Sequence, residues 1–191
     1  MTDTIEQPTT DREARPVELV DEAGLAIGAC SVAEAHRAPG QLHRAFSVLL
    51  FDATGRVLLQ QRAAVKTRFP SLWANTCCGH PAPGELVATA ASLRLAEEMG
   101  LTATLTEVGI YRYHAEDPRT GRVEFEWDHV LVGQLGTGAP RPDPAEVADY
   151  AWVQPDALRD ALAGDPDAYT PWLAGVLDIA DPARGTGTPL H

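Results

Sequence analysis

A thiol, an imidazole and a carboxylate fall within one short stretch of the chain, Asn75-Thr76-Cys77-Cys78-Gly79-His80-Pro81-Ala82-Pro83-Gly84-Glu85. Its glycines and prolines disfavour a helix and point to a loop, where reactive side chains are available for chemistry. Taken alone, Cys77 and Cys78 read as two small packed residues. What gives the stretch weight is the number of residues elsewhere that could complete a site with it. Glu124 and Glu126 have the period-two spacing that puts two carboxylates on one face of a strand. That strand is otherwise apolar or aromatic (Val123, Phe125, Trp127, Val130, Leu131), so the acids call for a cationic partner.

His36 and His43 flank a bend forced by Pro39-Gly40, and with His80 they offer three imidazoles. Each alone reads as an ordinary surface or core histidine. Together with Glu124 and Glu126 they would make a nitrogen–oxygen set suited to Mg²⁺, Mn²⁺ or Zn²⁺, whereas structural zinc would favour thiolates. A basic cluster, Arg62, Lys66 and Arg68, precedes the reactive stretch, and Arg94 follows it. In a chain of net charge −12 such a local cluster suggests phosphate recognition. The same net charge argues against nucleic acid or an anionic membrane as partner.

These groups need a scaffold, and its elements are legible. Val17–Val20, a turn at Asp21–Gly24 and Leu25–Gly28 read as an N-terminal hairpin. Ser31 with Glu34 is a capping-box signature for a short helix leading to His36. Ala45–Phe51, the turn Asp52–Gly55 and Val57–Arg62 predict a second hairpin. Residues 63–85 are expected to be a long connection, followed by a helix over Leu86–Met99 that Gly100 stops. Thr104–Tyr113, Arg122–Leu135 and Asp149–Val153 read as strands, and Pro155–Ala163 and Pro171–Ala180 as helices begun by proline. The order implies an α+β layered domain with a mixed sheet flanked by helices. Residues 17–180 form the single domain, with tails expected at 1–16 and 181–191.

At 191 residues and 45% apolar, the chain suits one well-cored domain. Three cysteines do not make a disulfide framework, which fits a reducing compartment. With no signal-like segment and no membrane-length apolar run, the expectation is a soluble cytoplasmic protein, with a monomer favoured.

Gly79, Glu85 and a helix ending in Glu97-Glu98 before Gly100-Leu101 have the frame of the Nudix box. That loop–helix–loop uses carboxylates to bind divalent cations on a diphosphate. Where its hydrolases carry an Arg-Glu pair, this chain has Leu93 and Arg94. Exchanging a carboxylate for a cation argues against metal-activated water and for a grip on phosphate.

Gln41-Leu42-His43-Arg44-Ala45-Phe46-Ser47, Trp73 to Pro81 and Glu124-Phe125-Glu126 resemble the type I isopentenyl-diphosphate delta-isomerases, over about Leu19 to Trp172. The resemblance implies a Nudix-type fold and interconversion of isopentenyl and dimethylallyl diphosphate. It implies His36, His43, His80, Glu124 and Glu126 as metal ligands, and Cys78 and Glu126 as the catalytic pair. Glu98 would meet a second Mg²⁺ held with the diphosphate, Arg62, Lys66 and Arg94 would bind that diphosphate, and Tyr113 and Trp172 would line the pocket. One departure is Val32, where the family commonly has a lysine near the diphosphate.

Such an isomerase adds a proton at C4, removes one from C2 and shields a tertiary cation from water. Glu126, aided by Tyr113, is expected to donate, Cys78 to accept as a thiolate of lowered pKa, and Trp172 to stabilise the cation. Cys77 should point away from Cys78 into the core, and Cys30, His114, His129 and His191 should be bystanders. A Nudix pyrophosphohydrolase would use Glu85, Glu97 and Glu98 but leave Cys78 and His80 idle. A non-catalytic metal- or anion-binding domain would leave more idle still.

Overall fold

In a computed structural model, which describes residues 12–181, the chain begins with a 3₁₀ turn over Arg12–Ala14. Residues 1–11 and 182–191 of the expected tails lie outside the described residues, while Arg12 and Glu13 of this turn line the candidate site. Strands β1 (Pro16–Val20) and β2 (Ala26–Ser31) form the N-terminal hairpin. Helix α1 (Val32–Ala35) follows, with the capping box formed: Glu34 N–H donates to Ser31 Oγ, and the Ser31 N–H to Glu34 Oε2. Gly40 then turns the chain at φ +88°, where a Cβ would lie 2.7 Å from Val123 Cγ1, so glycine is required on both counts.

The centre of the sheet is β3 (His43–Phe51). It and β4 (Val57–Arg62) are antiparallel neighbours as expected, but they share only the pair Phe51↔Val57 and diverge beyond the turn. The expected long connection contains two short strands, β5 (Trp73–Ala74) and β6 (Cys77–Gly79). β6 pairs with β3 through Ser47↔Cys78, taking the edge that a full hairpin would have used. Helix α2 (Val87–Met99) ends at Gly100 with φ +62°, as a left-handed stop. β7 (Leu105–Glu116) and β8 (Val123–Gln134) form a long antiparallel pair. β8 also runs parallel to β3 along its whole length, setting His43 opposite Glu126. β9 (Val147–Val153) pairs with β4, and α3 (Pro155–Gly164) and α4 (Leu173–Ala180) close the fold. Among the described residues this makes one nine-stranded mixed sheet.

Alternation along β3 divides the core. Phe46, Val48 and Leu50 face α2 with Cys77, while Leu49 faces α4 with Val130, Trp172 and Leu177. Cys78 belongs to the α4 side and Cys77 to the α2 side, so adjacent thiols occupy opposite faces as expected. No described helix is long and apolar enough to cross a membrane.

Candidate active site

The site lies between α2 and the start of α4, where Cys78 on β6, Tyr113 on β7 and Glu124 and Glu126 on β8 face Arg94 and Glu97 of α2 and Trp172 across a cavity of about 550 Å³. Strand register supplies its base. Glu124 and Glu126 project from the same face of β8, and His43 stands opposite Glu126 on β3. His36 arrives at the end of α1, and His80 follows β6 directly.

The imidazoles of His36, His43 and His80 lie with centroids 4.6 to 5.0 Å apart. One ligand atom from each, together with a Glu126 oxygen, falls within a sphere of contacts no longer than 4.8 Å. His36 Nδ1 faces the Val32 carbonyl and His43 Nδ1 the Gln41 carbonyl, each at 2.7 Å. Since a carbonyl only accepts, both Nδ1 atoms carry the proton and both Nε2 atoms point inward. His43 Nε2 is buried and has no hydrogen-bond partner. An orphaned ring nitrogen converging with two other imidazoles and a carboxylate fits a divalent ion. Glu124 stands one step out from this group: it accepts from Arg68 Nε at 3.1 Å, and its other oxygen lies 2.8 Å from His36 Nε2. Arg68, expected with the phosphate cluster, instead compensates this carboxylate.

Electrostatics separates the acids and bases. Burial alone would raise the Glu126 carboxyl, but the three imidazoles of His36, His43 and His80 facing it, His80 within hydrogen-bond reach at 3.0 Å, hold it well below the usual range. Burial lowers His80 to about 4 against the pull of Glu126. Burial would also lower His36, yet the facing Glu124 carboxylate lifts it to about 9. Burial pushes the Cys78 thiol up to about 12, more than the Arg62 guanidinium can offset. A thiolate lowered by nearby cations, as the sequence suggests, is therefore not what this site holds: Cys78 is a neutral thiol. The Arg62 nitrogen lies 3.8 Å from its sulphur, although that guanidinium is mainly held by the carbonyls of Arg68 and Phe69.

Above this pair lies an aromatic wall. Tyr113 donates to Glu126 Oε2 at 2.7 Å and stacks on both Tyr111 and Trp172. Trp172 meets Phe69 edge-on and is 2% exposed. Its indole N–H donates to Asn75 Oδ1 at 3.0 Å, while Asn75 Nδ2 donates to the Cys77 carbonyl at 2.8 Å. Phe69 holds φ +45°, costly for an aromatic residue, and is fixed by its N–H on Asp117 and its carbonyl on Arg62.

The other end of the cavity is ionic. Arg94 pairs with Glu98 at 2.5 Å and with Glu146 at 2.8 Å, and Lys66 pairs with the same two acids. Glu98, expected on a magnesium ion, is committed to these cations and to Gln60, which donates to it at 2.7 Å. Val32 lines the cavity without a charge. Glu146, Asn75 and Gln60 escaped the sequence reading. Asn75 lay in the reactive stretch, whereas nothing around Glu146 marks it. Glu85 braces its own loop by accepting from the Ala82 N–H. His114 and His129 sit outside the site on Pro39 and Glu107, Cys30 packs at the edge of a small core, and His191 lies outside the described residues.

The Nudix domain model matches residues 41–173. The isopentenyl-diphosphate Delta-isomerase of Nocardia farcinica is 73% identical over 168 residues, covering 88% of this chain and 95% of that one. The enzyme of the same name from Halorhodospira halophila is 43% identical, covering 88% and 98%. Among solved structures, DR0079 from Deinococcus radiodurans superposes with a TM-score of 0.69 at 18% identity, over 85% of this chain and 97% of that one. The Nudix domain of Shewanella oneidensis NrtR, complexed with ADP ribose, gives 0.54 at 19% identity, over 73% and 84%. A layered Nudix fold, a histidine–glutamate cluster and these relatives lead to one assignment: the chain belongs to the Nudix family and, within it, to the isopentenyl-diphosphate Delta-isomerases.

Proposed function

We propose that the chain interconverts isopentenyl diphosphate and dimethylallyl diphosphate by protonating one end of the allylic system and deprotonating the other. The observation that carries this reading is the pairing of a neutral thiol, Cys78, with an anionic carboxylate, Glu126, on one aromatic-walled cavity. That pair is a proton donor and a proton acceptor ready before substrate arrives. In this reading the Cys78 S–H adds its proton at C4, and the tertiary cation at C3 lies against Trp172. Glu126 then removes a proton from C2. This exchanges the roles that charge patterning in the sequence suggested. Each passage leaves a thiolate and a carboxylic acid, which re-equilibrate with solvent or run the reverse reaction. Tyr113 orients the receiving carboxylate, and the enclosing Phe69, Tyr113 and Trp172 keep water from the cation.

A divalent ion held by His36, His43, His80 and Glu126, with Glu124 behind His36, would supply positive charge that keeps Glu126 ionised. The identity of the ion, Mg²⁺, Mn²⁺ or Zn²⁺, is left open by this donor set. Arg62, Lys66 and Arg94 bind the diphosphate, and a second Mg²⁺ arriving with it would share Glu98 with Arg94 and Lys66. The reading includes a small-molecule diphosphate substrate, a monomer and a reducing cytoplasmic setting, supported by three free thiols. Nudix-type pyrophosphohydrolysis is disfavoured by Arg94, which meets Glu98 where hydrolases place a further carboxylate.

Turnover of isopentenyl diphosphate in D₂O tests the proposal. Solvent deuterium should enter the product methyl group, chelator should abolish turnover, and Cys78→Ala should lose about 10²-fold or more in kcat. Phosphate release without isomerisation, or a Cys78→Ala variant turning over at the wild-type rate, overturns it.

A further inference from the structure

We infer that Arg15 is a diphosphate-contacting residue and adds a positive charge, unpaired among the described residues, to the ionic end of the cavity. The inference deepens the proposed function and rests on its diphosphate substrate. Arg12, Arg15, Arg62, Lys66, Arg68 and Arg94 line the cavity. Five of these cations are already engaged. Arg12 pairs with Glu97 and Glu146, Lys66 and Arg94 with Glu98 and Glu146, and Arg68 with Glu13 and Glu124. Arg62 donates to the carbonyls of Arg68 and Phe69. Arg15 alone among the six has no side-chain partner among the described residues, and it is exposed.

At the ionic end three cations, Arg12, Lys66 and Arg94, face three carboxylates, Glu97, Glu98 and Glu146. That group sums to zero and would give no net attraction to a diphosphate carrying two or more negative charges. Arg15 is placed to change the sum. Its N–H donates to the Arg12 carbonyl at 3.3 Å, closing the 3₁₀ turn. Arg15 thus leaves the turn directly after it closes on Arg12, whose guanidinium rests on Glu146, and both arginines line the cavity. The backbone beneath is fixed: the Arg15 carbonyl accepts from the Val32 N–H at 2.9 Å, and Pro16 pairs with Ser31. A free guanidinium on a rigid base suits bidentate capture of phosphate oxygens at little ordering cost.

The test compares Arg15→Gln and Arg15→Lys with wild type, using Arg141→Gln as a control at an exposed arginine away from the cavity. Arg15→Gln should raise KM for isopentenyl diphosphate and the inhibition constant of inorganic pyrophosphate roughly five- to tenfold, with kcat and thermal midpoint unchanged. Arg15→Lys should fall between, and the salt dependence of KM should weaken in Arg15→Gln. Values within twofold of wild type, or a loss in kcat at constant KM, overturn the inference. Calorimetric binding of pyrophosphate to wild type and Arg15→Gln isolates it from the isomerase reading. Lack of isomerisation with Arg15-dependent pyrophosphate binding would sink the activity and keep the site.

Discussion

Asn75 joins the thiol-bearing strand to the indole of Trp172, and its substitution separates structural from chemical roles. The side chain is 1% exposed. Its amide accepts from Trp172 Nε1 at 3.0 Å and donates to the carbonyls of Cys77 at 2.8 Å and Val48 at 3.3 Å. Asn75→Ala strands a buried indole N–H and a carbonyl and leaves a small void, a loss of about 2–4 kcal/mol. For a domain of this size that corresponds to roughly 5–15 °C in melting temperature. Asn75→Asp is nearly isosteric and can still accept from Trp172, but it turns an oxygen toward two carbonyls and buries a charge. It should therefore be worse than alanine at neutral pH, by about 3–5 kcal/mol relative to wild type. Because this carboxyl would be raised by burial, the deficit should grow as pH rises and shrink in acid, where the protonated group can donate to Cys77. Thermal melts of the three proteins from pH 5 to 8 read this order, and a freed Trp172 should lower kcat about tenfold or more. An Asn75→Asp protein as stable as wild type at pH 8, or more stable than Asn75→Ala, would refute the reasoning.

The two thiols should separate cleanly. Cys78→Ala should lower kcat by about 10² to 10⁴ with the fold intact, whereas Cys77→Ala should keep kcat and cost about 1 kcal/mol in urea melts. Burial would raise the Glu146 carboxyl, but Lys66 and Arg94 outweigh it and bring it down to about 2. Its depressed folded value means that its contribution is present above about 4.5 and fades as pH falls toward 2, so Glu146→Gln should flatten that limb of a pH–stability curve. His36 has the opposite sign: raised from 6.5 to about 9, it stabilises the metal-free protein at low pH and ceases to as pH rises through 9. A metal ion must displace that proton, so Mn²⁺ affinity should climb from pH 6.5 to 9. Calorimetry in buffers of differing ionisation heat should register the released proton.

Local signals in the sequence were reliable where local physics decides the outcome. Ser31 and Glu34 cap α1 as their spacing implies, and Gly100 takes the left-handed conformation that ends α2. Glu124 and Glu126 share a face because strand geometry allows nothing else. The turn at Asp52–Gly55 forms as its residues dictate, but the pairing beyond Phe51↔Val57 depends on β6 inserting beside β3. Strands as short as Trp73–Ala74 and Cys77–Gly79 leave no periodicity to read. Glu146 was invisible because its partner Lys66 lies 80 positions away and only the closed fold brings them together. The error at Cys78 had a different origin: neighbouring cations can be guessed from sequence, while the burial that overrides them is a property of the whole core.

The parallel pairing of β3 with β8 carries a consequence for how the protein is assembled. Contacts within the metal-compatible cluster and its surround span 88 positions from His36 to Glu124 and 46 from His80 to Glu126. Loop closure of that length is a late and slow event in folding, and parallel strands cannot nucleate through a tight turn. Helix α2 and the β7–β8 hairpin can form from local contacts while the histidines are still apart. Competence to hold a metal ion is thus acquired at the final docking of β8 onto β3, and metal retention reports completion of the fold rather than its beginning.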